Sequence, residues 1–147
     1  MSGNLTYTNS MELTGVLKGK SAVVTGATRG AGRGIAIELG AAGATVYCTG
    51  RSVRGNLAGE CQETIEETAE LVTEAGGVGI PVRVDHTALR EVEALFEKVK
   101  AEQGGTLDIL VNNVWGGDAL TDWGVPFWEH SLPNGLRVLE QGVFTHL

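Results

Sequence analysis

The sequence predicts an α/β fold, a parallel sheet flanked by helices, and three observations carry that prediction. Short apolar runs of strand character alternate with longer stretches of helical spacing. A glycine-rich turn, Thr25-Gly26-Ala27-Thr28-Arg29-Gly30-Ala31-Gly32, joins the first run to the first helical stretch. Glycine pairs close later helical stretches at Gly76-Gly77 and Gly104-Gly105. A βαβαβαβ order of this kind implies right-handed crossovers with helices on both faces of the sheet.

The elements follow in order. Residues 1–18 read as a leader, and Met1 to Thr14 lack the basic-then-apolar pattern of a signal peptide. Ser21-Ala22-Val23-Val24 is the first strand and Gly32–Ala42 the first helix. Thr45-Val46-Tyr47-Cys48-Thr49 has the β-branched and aromatic content of a second strand. After a loop at 50–60, Cys61, Ile65, Ala69 and Val72 recur at near-helical spacing on an acidic background. Ile80-Pro81-Val82-Arg83-Val84 reads as a third strand, with Pro81 tolerable near its start or on an edge. Leu89, Val92, Leu95, Phe96 and Val99 mark the third helix, and Leu107–Asn112 the fourth strand. The βαβαβαβ core is thus expected over 19–112. Residues 113–134 hold all three tryptophans, Trp115, Trp123 and Trp128, and read as a loop or substrate lid at the carboxyl end of the fourth strand. Aromatic filler packed over the sheet or against a second subunit is the competing reading. A helix starts again over 135–147.

Composition narrows the function. The net charge of −7 argues against nucleic acid as a partner. No apolar run is long enough to cross a bilayer. Cys48 and Cys61 are too few and too unpatterned for a disulfide framework or zinc site; they read as a core residue and a helix-face residue in a cytoplasmic, reducing setting. His86, His130 and His146 show no metal or triad spacing, so no metal is expected. Residues 1–60 carry six basic against three acidic side chains, while the rest is acidic. Arg29, Arg33, Arg51 and Arg54 lie in or just after the segments that would flank a nucleotide, a local positive field suited to a small polyanion.

The glycine turn supplies the site. Placed between strand and helix, it sets backbone N–H groups at the positive end of a helix dipole, which suits a phosphate. Gly26 permits the tight turn, Gly30 lets the backbone approach a pyrophosphate, and Gly32 lets helix and strand pack closely. A site selecting NAD carries an acidic residue at the end of the second strand, where it accepts from the ribose 2′-hydroxyl. Here that place holds Gly50-Arg51-Ser52. A guanidinium grips a 2′-phosphate that a carboxylate would repel, and Arg29 can approach the same group, so NADP(H) is expected over NAD(H).

These residues resemble the short-chain dehydrogenase/reductase family, in the branch that spaces its glycines Gly-x-x-x-Gly-x-Gly. The likeness covers roughly Lys20 to Asn113: Thr25 to Gly32, Gly50-Arg51-Ser52, Asp85 after the third strand and Asn112-Asn113 after the fourth. Within the family, Gly43-Ala44-Thr45-Val46-Tyr47 followed by Thr49-Gly50-Arg51 is similar to one branch in particular. The resemblance implies a Rossmann-like sheet in the order 3-2-1-4. It implies a cofactor held by Gly26, Thr28, Arg29, Gly30, Ala31, Gly32, Arg51, Asp85 and Asn112, with Asp85 on the adenine amino group and the asparagine pair at the cofactor ribose. It also implies hydride transfer with a small carbonyl or alcohol substrate, and dimerisation through the helix near Pro133. Two departures stand out. Val114-Trp115 follow the asparagines where the family continues Ala-Gly, and Gln141 or Gly142 falls where a relay asparagine is usual.

Catalysis in the family needs a tyrosine with a lysine four residues on, so that the ammonium lowers the phenol's pKa. Four beyond Tyr7 is Met11, and four beyond Tyr47 is Arg51. Ser131 reads as a helix cap. No catalytic residue is therefore expected in these 147 residues. The chain reads as the truncated cofactor portion of an NADP(H)-dependent oxidoreductase, inactive by itself. The alternative is a non-catalytic dinucleotide-binding sensor or partner subunit. The fourth strand is expected to lie at an edge, so that the polypeptide alone is poorly soluble or associates.

Overall fold

The computed structural model describes residues 15–59 and 61–147; most of the expected leader lies outside the described residues. Strands β1 (Ser21–Thr25), β2 (Thr45–Gly50), β3 (Val78–Arg83) and β4 (Ile109–Val111) form one parallel sheet in the order β3-β2-β1-β4. Register runs from Ala22 to Val46 on one side and to Ile109 on the other. Helices α1 (Gly30–Ala41), α2 (Ile65–Glu74) and α3 (Leu89–Glu102) are the crossovers. This is the α/β architecture and strand order that the sequence predicts.

Strands buried on both faces need apolar side chains at successive positions, and β1 is buried throughout. Ala22, Val24, Val46 and Cys48 face α1 and α2 and pack with Ala36, Ala69 and Val72. Val23 and Tyr47 point the other way, to Leu95 and Val99 of α3. Cys48 is the core residue expected, and burial pushes its thiol up to about 12. Tyr47 is wholly buried; its hydroxyl donates to Glu102 Oε2 at 2.9 Å and accepts from Gln103 Nε2 at 2.8 Å. That places it under α3, away from the carboxyl ends of the strands.

Several boundaries move for local reasons. Cys61 is not on a helix face: α2 begins at Ile65, because Thr64 and Glu67 close a capping box that starts it there. β4 shrinks to Ile109–Val111 because Asp108 is spent on capping the start of β1, accepting from the Ser21 amide at 2.9 Å and from Lys20 Nζ at 2.8 Å. Pro81 lies on an edge strand, where its missing donor costs nothing. Helix α4 (Leu132–Gly142) starts earlier than expected, with Ser131 as its cap, accepting from the Asn134 amide, and Pro in its first turn.

The last part of the chain packs differently. Between β4 and α4 the backbone makes two short 3-10 turns, Asp118–Leu120 and Phe127–Glu129. Leu132, Leu136 and Leu139 of α4 stay exposed, and so do Val143 just beyond it and Leu110 of β4. Two polar contacts help tie this region down: His146 Nε2 meets the Val114 carbonyl at 3.0 Å, and Asn112 Nδ2 donates to the His146 carbonyl at 3.4 Å.

Candidate nucleotide site

A cleft of about 290 Å³ opens at the carboxyl ends of the strands, where parallel sheets place their ligands. The glycine turn, the end of β2, the segment after β3 and the segment after β4 line it.

The turn is built by close packing. Gly26 has φ +69, and a Cβ there would lie 3.0 Å from the Asn113 carbonyl oxygen, so only glycine fits. A Cβ on Gly32 would overlap the Gly26 carbonyl oxygen and lie 2.5 Å from Asn113 Nδ2. Gly30 meets open space instead, on the cleft side. Asn113 Nδ2 donates to the Gly26 carbonyl at 3.1 Å. The Thr25 hydroxyl donates to the Val111 carbonyl at 3.1 Å and accepts from the Asn113 amide at 3.0 Å. The ends of β1 and β4 are thereby zipped together beneath the turn.

Helix α1 begins immediately after the turn, and its N-cap residue Arg29 makes no side-chain capping bond. Its first-turn N–H groups therefore keep their capacity for an anion, reinforced by the helix dipole.

Of the nine residues expected to hold a cofactor, Gly26, Thr28, Arg29, Gly30, Ala31, Arg51 and Asp85 line this cleft. Two do not. Gly32 sits behind the turn as a packing residue. Asn112 is exposed and turned toward His146, because alternate strand residues face opposite sides; its neighbour Asn113 takes the cleft position. The four arginines also divide. Arg29 and Arg51 line the cleft, and Arg29 Nη1 donates to Cys61 Sγ. Arg33 points to α2, and Arg54 pairs with Glu70 on the exposed face of that helix.

Asp85 sits opposite Arg51. Burial works to raise its carboxyl, but two hydrogen bonds from Thr87, to Oδ1 at 2.7 and 3.0 Å, with the Arg51 and Arg83 charges, outweigh it and hold it below the ordinary carboxylate value. His86, absent from the expected set, lines the cleft beside it. Its Nε2 lies 2.8 Å from Thr49 Oγ1, a hydroxyl that also lies 3.2 Å from the Val24 carbonyl oxygen. Burial lowers the His86 pKa, and the Asp85 and Glu91 charges oppose that only in part.

Cys61 and Gln141 also line the cleft. The Thr64-x-x-Glu67 spacing could have placed Cys61 ahead of the helix; no local signal could have brought Gln141 across from α4. Trp115 forms the wall on the β4 side, its Nε1 donating to Asp118 Oδ1 at 2.8 Å and its ring seated against Gly117 and Gly142. The lid reading does not extend to the other aromatics. Trp123, Phe127 and Trp128 are 72–81% exposed and leave this cleft uncovered, since the segment bends away along α4. Among the described residues no cluster of His, Cys, Asp and Glu could hold a metal, and no helix is long and apolar enough to cross a membrane.

Comparison with known proteins agrees with this geometry. The family model described as short chain dehydrogenase matches residues 20–133. Mouse dehydrogenase/reductase SDR family member 1 is 45% identical over 115 residues, 77% of this chain and 34% of that protein. A hydroxysteroid dehydrogenase from Escherichia coli superposes with a TM-score of 0.69 at 29% identity, over 93% of this chain and 49% of that one. The NADH-dependent reductase A1-R′ in complex with NAD gives 0.68 at 27% identity, over 88% and 48%. The chain spans about a third of the length of the curated relatives it matches.

Proposed function

The chain belongs to the short-chain dehydrogenase family, and from that premise we propose that it is the cofactor-binding portion of an NADP(H)-dependent oxidoreductase acting on a small carbonyl or alcohol. The observation that carries the choice of cofactor is the pairing of Arg29 and Arg51 in one cleft, with glycine and no carboxylate closing β2. The residues fit such a group. The glycine turn leaves an open cradle at Gly30, and the uncapped start of α1 offers amides to a pyrophosphate. Arg29 and Arg51 would meet the 2′-phosphate, Asp85 the adenine amino group, and Asn113 the ribose. When bound, the nicotinamide supplies the hydride. The chain's own residues would bind and orient it: Arg51 would grip a phosphate with two parallel N–H donors, and the Trp115 wall limits the cleft on the β4 side.

The one tyrosine among the described residues is not placed to supply the acid. Tyr47 is buried beneath α3 with its hydroxyl already committed to Glu102 and Gln103. This favours, as a second reading, a dinucleotide-binding protein that does not catalyse by itself. In either reading residues 19–112 are the dinucleotide-binding core.

Calorimetry with NADPH and NADH tests the assignment. Arg51→Asp should weaken NADPH at least about tenfold, the loss of a charge-assisted pair, and leave NADH within about twofold. Equal losses for both nucleotides would refute the choice of NADP. A turnover assay on the same sample, with no hydride transfer to a panel of carbonyls, supports the inactive reading.

A further inference from the structure

Arg33 lies in the first turns of α1 yet contributes nothing to the wall of the cleft. Its guanidinium is spent on the other side of the glycine turn. Nε donates to the Thr28 carbonyl and to Thr68 Oγ1, each at 3.0 Å. Nη2 donates to Glu67 Oε2 at 2.9 Å and to the Thr64 carbonyl at 3.3 Å. The Thr68 hydroxyl, fully buried, donates in turn to the Ala27 carbonyl at 2.9 Å. Two successive carbonyls of the turn, those of Ala27 and Thr28, are thus held toward α2.

A trans peptide points its C=O and its N–H in opposite directions. Holding the Ala27 carbonyl toward α2 turns the Thr28 amide away from it, and holding the Thr28 carbonyl does the same for the Arg29 amide. Away from α2 is the side on which Thr28 and Arg29 line the cleft. Successive backbone N–H groups turned to one side form a concave anion site.

We infer that Arg33 and Thr68 are positioning residues, which aim the Thr28 and Arg29 amides at a diphosphate without touching it. Glu67 makes this possible. It neutralises Arg33 in place and simultaneously accepts from the Thr64 amide at 3.2 Å to start α2, so the turn and that helix are locked in register. The sequence pattern, a cation one turn into the helix, suggests a phosphate ligand; the contacts make it a brace.

This inference rests on the dinucleotide reading, and its test separates the two. The whole chain is titrated with NADPH, with NADH and with inorganic pyrophosphate alone, by calorimetry and by amide NMR. In the unaltered chain, pyrophosphate and both nucleotides should move the Thr28 and Arg29 amide protons downfield. Arg33→Gln and Thr68→Val should each weaken NADPH and NADH by the same factor, about tenfold, as expected for one charge-assisted hydrogen bond. The preference between the two nucleotides should not change. A general loosening of the fold would also lower both affinities equally, so the discriminating readout is the Thr28 and Arg29 amide signals. These should be displaced in the free variants while amides elsewhere in the sheet stay in place. Thr68→Ser, which keeps the hydroxyl, should bind like the parent. Affinities within twofold of the parent in both folded variants overturn the inference. So does binding of pyrophosphate or nucleotide that leaves the two amide signals in place, a result that needs no variant to fold. A chain that binds pyrophosphate through these amides but neither nucleotide sinks the dinucleotide reading and leaves the brace standing.

Discussion

Replacing Gly32 with alanine sets two effects of opposite sign against each other. In a helix interior alanine is favoured over glycine by about 0.5–1 kcal/mol, because it loses less backbone freedom on folding. Gly32 lies in α1, so propensity alone predicts stabilisation. Packing predicts the reverse. The new Cβ would overlap the Gly26 carbonyl oxygen and lie 2.5 Å from Asn113 Nδ2 and 2.9 Å from the Gly26 carbonyl carbon. None of these is the free end of a flexible side chain, since Asn113 is itself held by its 3.1 Å bond to Gly26. Breaking that bond costs about 1 kcal/mol, and forced overpacking adds about 1–3 kcal/mol. The net is a destabilisation of about 1–3 kcal/mol. Gly34, in the same helix, is the control. Open space surrounds its Cβ position, so Gly34→Ala should stabilise by about 0.5–1 kcal/mol. Urea denaturation followed by circular dichroism measures both. With a slope of about 1–3 kcal/mol per molar, the Gly32→Ala midpoint should fall by roughly 1 M while that of Gly34→Ala rises. A Gly32→Ala chain as stable as the parent would refute the account of the turn, as would equal losses at the two positions.

Two further outcomes follow from the titratable groups. Burial lowers the folded pKa of His86 below the ordinary imidazole value, so the folded state favours the neutral ring. Its contribution to stability is therefore fully present above about pH 6.5 and is lost as pH falls from there toward the lower folded value. His86→Gln, which keeps a hydrogen-bonding group for Thr49, should flatten the dependence of the urea midpoint on pH below 6.5; an unchanged slope would show that another group controls it. The two cysteines should separate on labelling with a thiol reagent. Cys48, buried and with its thiol pushed up to about 12, should react only on unfolding, because the thiolate is the nucleophile. Cys61, on the wall of the cleft, should react in the folded chain and be slowed by NADPH. Equal rates for the two would count against the placement of both.

Much of the nucleotide cleft was legible because its parts are local. A strand, a glycine turn and a helix in succession occupy about a dozen residues, and their geometry follows from backbone rules that hold within such a window. Gly26, Gly30 and Arg51 could be placed in this way. The arginines could not all be sorted by the same means. Arg29, Arg33, Arg51 and Arg54 look alike as charges near a turn, yet Glu67 draws Arg33 to α2 and Glu70 draws Arg54 out of reach. Asn112 and Asn113 differ only in which side of the chain they face after a three-residue strand, and β4 ends at Val111, one residue short of the Asn112 at which the expected strand ended.

By itself, then, the order of apolar runs and glycines determined the architecture, the strand order through the family likeness, and the end of the sheet at which a phosphate would sit. These depend on periodicity and on glycine's freedom, which are properties of short segments. Only the tertiary structure decided which cations face the cleft, that His86, Cys61 and Gln141 share it, that Trp115 walls one side while the other tryptophans stand clear, and that Tyr47 is committed elsewhere. Those outcomes depend on partners dozens of residues away, such as Glu102 for Tyr47, and a side chain's direction is set by the partner it reaches.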